Sequence, residues 1–135
     1  MMEVFFTSHS PSQKRLNMLK TVLVVDDEIA NRRLPALILD AAQYRVIECE
    51  DGKEAMDILN ETSIDYILLD ISLPLVNGID ICKSIRQSRK FDNIKIFAYT
   101  AHAMRDETQN FLDSGFDNIL IKPINRRDLL ALFTQ

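Results

Sequence analysis

Short apolar runs alternate with helical patterns from residue 20 to the end of the chain. Five of these runs are nearly continuous in apolar character: 21–25, 45–49, 66–69, 94–99 and 118–121. Continuous apolar runs, unlike strict alternation, are typical of strands covered on both faces of a parallel sheet. The pattern therefore predicts five buried strands separated by five helical segments.

The segments between the runs carry the signals that begin and end helices. Three side chains of the N-cap type stand just ahead of helical patterns: Asp51, Asn77 and Asn125. Such side chains accept a hydrogen bond from an otherwise unpaired backbone N–H of the first turn. A fourth helix, over about 104–114, ends before Gly115, a residue type suited to a helix C-terminus.

The first helical pattern contains a proline. Pro35 falls among Ala30, Leu34, Leu37 and Ile38, which recur at helical spacing. A proline inside a helix has no N–H, so the carbonyl of Asn31 loses its usual partner. We predict a helix here that is kinked or starts late.

Five strands alternating with five helices indicate a doubly wound α/β domain, with a parallel sheet and helices on both faces. Periodicity alone leaves the strand order open. The N-terminal segment is different, because residues 7–13 are polar and turn-prone. We divide the chain into an N-terminal extension over 1–19, flexible or weakly docked, and one domain over 20–135.

Composition narrows the class of protein. The 135 residues are 47% hydrophobic and carry a net charge of −4, which argues against direct nucleic-acid binding. No apolar run approaches the roughly 18 residues of a membrane span, and no secretory signal is present. Cys49 and Cys82 lie in apolar stretches without metal-binding spacing. Buried, reduced thiols in a cytoplasmic protein are the simplest interpretation.

The polar residues that follow the apolar runs are the most informative. Five of them stand at or just beyond strand ends: Asp26, Asp27, Asp70, Thr100 and Lys122. The carboxyl ends of parallel strands form the ligand-binding edge of an open α/β sheet. We therefore expect these groups to converge on one site.

Their chemistry suits phosphoryl transfer. Three crowded carboxylates repel unless a cation joins them, and Mg²⁺ is the usual cation beside phosphate. A carboxylate can attack phosphorus, while Thr100 and Lys122 offer donors to the phosphoryl oxygens. Blander readings stay open for single residues, because Asp27 and Thr100 could cap helices and Lys122-Pro123 could be a turn.

Four segments carry a family resemblance: 23–28, 69–78, 98–103 and 121–123. In order and separation they resemble the receiver domain of two-component response regulators over about residues 20–135. The resemblance implies a flavodoxin-like sheet of order 2-1-3-4-5. It also implies that Asp70 accepts a phosphoryl group from a sensor histidine kinase or a phosphotransfer protein. Residues 100–104 look most like receivers of hybrid kinases and phosphorelays.

The resemblance also implies roles for the other site residues. Mg²⁺ would be bound by Asp27 directly, by Asp26 more often through water, by Asp70 and by the backbone carbonyl of Ser72. Thr100 would contact the phosphoryl group as part of the switch, and Lys122 would pair with that group. The Lys122–Pro123 bond is often cis in this family.

One position departs from the family pattern. Many receivers carry an aromatic residue three positions before the lysine, where this chain has Ile119. The side chain of Ile119 is β-branched and stiff, and it has no hydroxyl that could report its position by hydrogen bonding. We therefore expect the signal to pass through movement of segment 101–106 and the adjoining helix.

The chain ends at Gln135, just after the last predicted helix, so we expect a receiver without a DNA-binding output domain. We favour a stand-alone receiver, and the alternative is an excised piece of a hybrid kinase. It would act on a downstream protein target, with a phosphorylation-dependent dimer left open, and would not be a classical enzyme. Two alternatives remain: a Mg²⁺-dependent phosphohydrolase with an aspartyl-phosphate, and a receiver that only docks partners.

Overall fold

The computed structural model of the chain describes residues 4–5, 19–73, 75–101 and 105–134, with the backbone alone at 4, 5, 105 and 106. Its strands are β1 Val4–Phe5, β2 Thr21–Val25, β3 Arg45–Cys49, β4 Tyr66–Asp70, β5 Lys95–Thr100 and β6 Asn118–Ile121. Its helices are α1 Ile29–Ala41, α2 Gly52–Glu61, α3 Gly78–Arg86, α4 Arg105–Asp113 and α5 Arg126–Phe133, with a 3₁₀ turn at Arg89–Phe91.

The sheet has the predicted topology. Strands β2 to β6 are all parallel and lie side by side as β3-β2-β4-β5-β6. Counted in chain order from β2, this is 2-1-3-4-5, so the predicted fold class and strand order are confirmed. Each parallel connection runs through a helix, which places helices on both faces of the sheet.

A sixth strand was not predicted. The short β1 pairs antiparallel with β3, with Val4 opposite Ile47 and Phe5 opposite Val46. It therefore lies at the outer edge of the sheet. The rest of the extension, 1–3 and 6–18, lies outside the described residues, so the division at residue 19 stays a prediction.

The predicted helix signals are confirmed. The side chains of the three N-caps accept backbone N–H groups: Asp51 from Glu54 at 2.8 Å, Asn77 from Asp80 at 2.9 Å and Asn125 from Asp128 at 2.8 Å. Gly115 follows α4 with a φ of 111°, a left-handed conformation that glycine adopts without steric cost.

The first helix passes through its proline. Helix α1 begins at Ile29, ahead of Pro35, so the proline does not delay its start. The carbonyl of Asn31 accepts a hydrogen bond of 2.8 Å from the hydroxyl of Tyr99. A side chain from the sheet thus supplies the bond that Pro35 removes.

Strand alternation divides the core between two faces of the sheet. Helices α1 and α5 cover one face, whose core contains Val22, Val24, Leu68, Phe97, Tyr99 and Leu120 among others. Helices α2, α3 and α4 cover the other, whose core contains Leu23, Val25, Ile67, Leu69, Ile96 and Ala98 among others. We call these the α1–α5 face and the α2–α4 face. Successive side chains of a strand point to opposite faces, so sequence parity assigns each residue to one of them.

Both cysteines are buried and free, as predicted. Burial raises the pKa of Cys82 to about 11, and it raises the pKa of Cys49 further. Both thiols therefore stay protonated near neutral pH and act as small apolar side chains. Among the described residues, no helix is long and apolar enough to cross a membrane.

Candidate functional site

The predicted residues meet at the carboxyl edge of the sheet. Carboxylate oxygens of Asp26, Asp27 and Asp70 lie within 4.8 Å of one another. The Lys122 ammonium lies 3.4 Å from Asp26 Oδ2 and 3.5 Å from Asp70 Oδ1. Thr100 closes β5, the neighbour of β4, and is buried. The structure therefore brings Asp26, Asp27, Asp70 and Lys122 together, and it places Thr100 at the end of the strand adjacent to that of Asp70.

Strand parity explains which side each of them takes. Asp26, Asp70 and Lys122 continue the alternation of Val24, Leu68 and Leu120, which belong to the α1–α5 face. Thr100 continues the alternation of Ala98, a residue of the α2–α4 face. Ile119 packs against the core of that second face. By this alternation, Asp26, Asp70 and Lys122 fall on the opposite side of the sheet from Thr100 and Ile119, the proposed switch residues.

Asp26 and Asp27 are neighbours in very different surroundings. Asp26 is 0% exposed, and its Oδ1 accepts the Glu28 N–H at 3.0 Å, whereas Asp27 is exposed. Burial raises the pKa of Asp26 above its usual range, and the nearby Asp70 raises it further, while the Glu28 N–H and Lys122 oppose the shift. An added positive charge beside Asp26 would therefore favour its ionised form.

Asp70 is held by the loop that follows it. Its Oδ1 accepts the Ser72 N–H at 3.0 Å, and Ile71 O accepts the Gly78 N–H at 2.9 Å. A Cβ on Gly78 would collide with the Asp70 carbonyl oxygen and lie 2.9 Å from Ile71 Cα. Glycine at 78 thus allows the start of α3 to contact the backbone of Asp70 and Ile71 directly. The carbonyl of Ser72 as a metal ligand stays a prediction.

A buried ionic network behind Asp26 was missed by the sequence analysis. Arg32 of α1 donates to the Asp26 carbonyl at 2.9 Å and to Glu48 Oε1 at 3.0 Å. Arg33 donates to the other Glu48 oxygen at 3.1 Å. The available signal was Glu48, a carboxylate inside the apolar run 45–49 that requires a buried partner.

Tyr99 is a second residue that the sequence analysis missed. It is 2% exposed, and the Lys122 ammonium lies 4.2 Å from its ring centroid. Burial, and then the charges of Asp26 and Asp70, raise the pKa of Tyr99, so its hydroxyl stays protonated and able to donate. The sequence feature that could have indicated such a residue is Pro35, because a proline there leaves the Asn31 carbonyl without its helical donor.

The surroundings of the site are partly described. An open groove of about 350 Å³ adjoins it between α1 and the loop after β6, with Leu34, Tyr99 and Pro123 in its lining. The Lys122–Pro123 bond is cis, as predicted. Residues 102–104 of the predicted switch segment, and the side chains of 105 and 106, lie outside the described residues.

The fold and the grouped site residues are those of a known protein family. A family model described as the response regulator receiver domain matches residues 22–134. The chain belongs to this family, whose members are phosphoacceptor signalling domains of two-component systems. Receiver domains interact with histidine kinases or phosphotransfer proteins.

Individual proteins similar to this chain are also response regulators or contain two-component signalling domains. The chain is 32% identical over 108 residues to the polar-differentiation response regulator DivK of Brucella ovis, covering 80% of this chain and 88% of DivK. It is 35% identical over 111 residues to hybrid signal transduction histidine kinase I of Dictyostelium discoideum, covering 77% of this chain but only 6% of that kinase. The structure of the chemotaxis response regulator CheY4 of Vibrio cholerae superimposes with a TM-score of 0.82 at 27% identity, over 87% of this chain and 98% of CheY4.

Proposed function

We propose that Asp70 is the phosphoacceptor and that Thr100 and Lys122 bind the incoming phosphoryl group. The observation that carries the proposal is the position of Asp70. It ends β4, its carboxylate is grouped with those of Asp26 and Asp27, and the Lys122 ammonium is 3.5 Å from its Oδ1. No other carboxylate of the described residues combines these features.

The group of carboxylates suits a hard divalent cation. Its oxygen donors lie within 4.8 Å of one another, and three negative charges face the one ammonium of Lys122. We propose Mg²⁺ as the cofactor, held by Asp26, Asp27, Asp70 and the Ser72 carbonyl. When bound, Mg²⁺ would neutralise charge on the carboxylates and on the phosphoryl oxygens.

The proposed step moves a phosphoryl group from a histidine nitrogen to Asp70. Asp70 Oδ1 is held by the Ser72 N–H, which leaves the other carboxylate oxygen to attack phosphorus. As the P–O bond forms, the P–N bond breaks, and the histidine nitrogen keeps the electron pair and takes a proton. Lys122 and Thr100 then donate to the phosphoryl oxygens, where charge accumulates.

The proposed partners follow from this step. The donor would be a sensor histidine kinase or a phosphotransfer protein, and the output a conformational change read by a protein target, with dimerisation on phosphorylation as one form of it. The chain would serve as a phosphoacceptor without turning over a separate substrate. The cytoplasm is the proposed location, supported by two buried free thiols.

Intact-mass measurement after incubation with acetyl phosphate and Mg²⁺ tests the acceptor. We expect a gain of one phosphoryl group in the wild type and none in Asp70→Asn. The matched control is Asp57→Asn, which changes an exposed carboxylate on α2 and should label like the wild type. Full labelling of Asp70→Asn would move the acceptor elsewhere, and no labelling of any protein would favour a receiver that only docks partners.

Thermal unfolding with and without Mg²⁺ tests the metal. A cation that binds only the folded state raises the melting temperature by mass action. Asp27→Ala should lose most of this rise, because it removes an exposed ligand without leaving a buried group unpaired. Asp57→Asn should keep the rise. An unchanged response in Asp27→Ala would exclude Asp27 as a direct ligand.

A further inference from the structure

We propose that Tyr99 is a positioning residue of the phosphoryl site: its ring places the Lys122 ammonium, and its hydroxyl ties β5 to α1 at the carbonyl that Pro35 leaves open. The part that concerns Lys122 rests on the proposed function. The part that concerns α1 stands independently of it.

The hydroxyl makes a bond that the sequence of α1 requires. Pro35 stands four residues after Asn31 and has no N–H, so the Asn31 carbonyl lacks its helical donor. Tyr99 Oη donates to this carbonyl at 2.8 Å, across 68 residues of sequence. A part-buried acceptor that loses its partner costs stability, so Pro35 and Tyr99 form a matched pair.

The ring makes the second contact. The Lys122 ammonium lies 4.2 Å from the Tyr99 ring centroid, well within the roughly 6 Å over which an aromatic face attracts a cation. The same ammonium is 3.4 Å from Asp26 and 3.5 Å from Asp70. A lysine stem is flexible, so two carboxylates alone leave the ammonium several positions. The ring removes part of that freedom and keeps the charge beside Asp70.

The two contacts depend on each other through one rigid side chain. A tyrosine has two side-chain torsions, and a hydrogen bond at the hydroxyl fixes the tilt and depth of the whole ring. The ring that faces Lys122 is therefore set by α1, although α1 supplies no atom to that contact. Helix α1 also holds the Asp26 backbone through Arg32. One helix thereby positions both the backbone of Asp26, a proposed metal ligand, and the site ammonium.

A double-mutant cycle tests the hydroxyl. Tyr99→Phe leaves the Asn31 carbonyl unpaired and should lower the melting temperature by about 5 °C. Pro35→Ala restores the helical N–H, so in that background Tyr99→Phe should cost less than about half as much. Tyr66→Phe, a hydroxyl deletion in the same core, should cost equally in both backgrounds. An equal cost of Tyr99→Phe in the two backgrounds would overturn the tie to α1.

Two readouts test the ring. In NMR spectra, the Lys122 ε-methylene should show an upfield ring-current shift in the wild type, a smaller shift in Tyr99→Phe, whose ring is no longer held by α1, and none in Tyr99→Leu. The rate constant of labelling by acetyl phosphate should fall about tenfold in Tyr99→Leu and by a smaller factor in Tyr99→Phe. Absence of a ring-current shift at the Lys122 methylene of the wild type would contradict the proposed contact between the Tyr99 ring and Lys122, even if the leucine variant does not fold.

The outcomes separate this inference from the proposed function. A wild type that takes up no phosphoryl group contradicts the proposed function, and the melting cycle and the NMR shift still decide whether Tyr99 holds α1 and Lys122. A wild type that labels normally, together with a folded Tyr99→Leu that labels at the same rate, contradicts the inference alone.

Discussion

The two faces of the sheet contribute differently to the site. On the α1–α5 face, the site groups are tethered: Arg32 holds the Asp26 backbone, and Tyr99 lies against Lys122. On the α2–α4 face, Ile119 is partly buried and packs against an apolar core. Hydrogen bonds fix both distance and direction, whereas apolar contacts have no directional preference. The comparison suggests that the first face holds the charges in place and that the second carries the proposed movement.

The largest expected effect concerns the ion pairs on the two faces. In the Arg32–Glu48 pair the side chains are 11% and 4% exposed, against 22% and 40% in the Arg86–Asp117 pair of the α2–α4 face. Arg32→Ala should cost about 3 kcal/mol in the free energy of unfolding, because Glu48 stays buried with only Arg33 beside it. Arg86→Ala should cost about 1 to 2 kcal/mol, including its hydrogen bond to the Gly115 carbonyl.

Denaturant unfolding measures both costs, and Mg²⁺ titration sharpens the comparison. Arg32→Ala should also weaken Mg²⁺ binding, since it releases the Asp26 backbone, while Arg86→Ala should not. Equal costs, or equal Mg²⁺ affinities in the two variants, would contradict the assignment of tethers to the α1–α5 face.

The next effect concerns the raised pKa of Asp26. Without metal, the folded state binds the Asp26 proton more tightly than the unfolded state does, so ionisation of Asp26 destabilises the fold as the pH rises above the usual value of 3.8. In chelator at neutral pH, Asp26→Asn should therefore melt higher than the wild type. This gain should shrink as the pH falls toward 3.8.

Melting curves across this pH range provide the measurement, with the exposed Asp57→Asn as the control that should change little. A gain that is independent of pH would show that the charge of Asp26 is not its cause.

The third prediction concerns which part of the molecule acts as the switch. If segment 101–106 moves, Ile119→Ala should cost packing stability yet largely preserve the phosphorylation-dependent gain in partner affinity. Thr100→Ala should reduce that gain sharply, because it removes the donor that draws the segment toward the phosphoryl group. Partner affinity of each variant, with and without phosphorylation, is the measurement. Loss of the gain in Ile119→Ala alone would make residue 119 the switch.

The smallest effect concerns the extension. Strand β1 lies at the sheet edge beside β3, whereas Asp70 lies at the end of β4, three strands in from β1. Deleting residues 1–17 should therefore leave the labelling rate within about twofold. Intact-mass time courses of both chains check this. A markedly slower truncated chain would give the extension a part in the site.

Local patterns along the chain predict the five parallel strands, the helices and the meeting of the strand-end residues. The apolar runs gave the five parallel strands, Asp51, Asn77 and Asn125 gave the helix starts, and the polar residues after the runs gave the site, because each of these depends on local spacing or on the common direction of parallel strands. Strand parity, also a local property, assigns Thr100 and Lys122 to opposite faces.

The pairing of groups from distant elements follows only from the packed fold. The bonds of Arg32 to the Asp26 carbonyl and Glu48, of Tyr99 to the Asn31 carbonyl, and of β1 to β3 join segments whose separation in sequence carries no signal. The sequence showed that Asn31 would lose a donor and that Glu48 would be a charge in an apolar strand. The side chain that hydrogen-bonds to each of these groups is set by how α1 packs across the sheet, because a hydrogen bond requires a particular distance and direction in space.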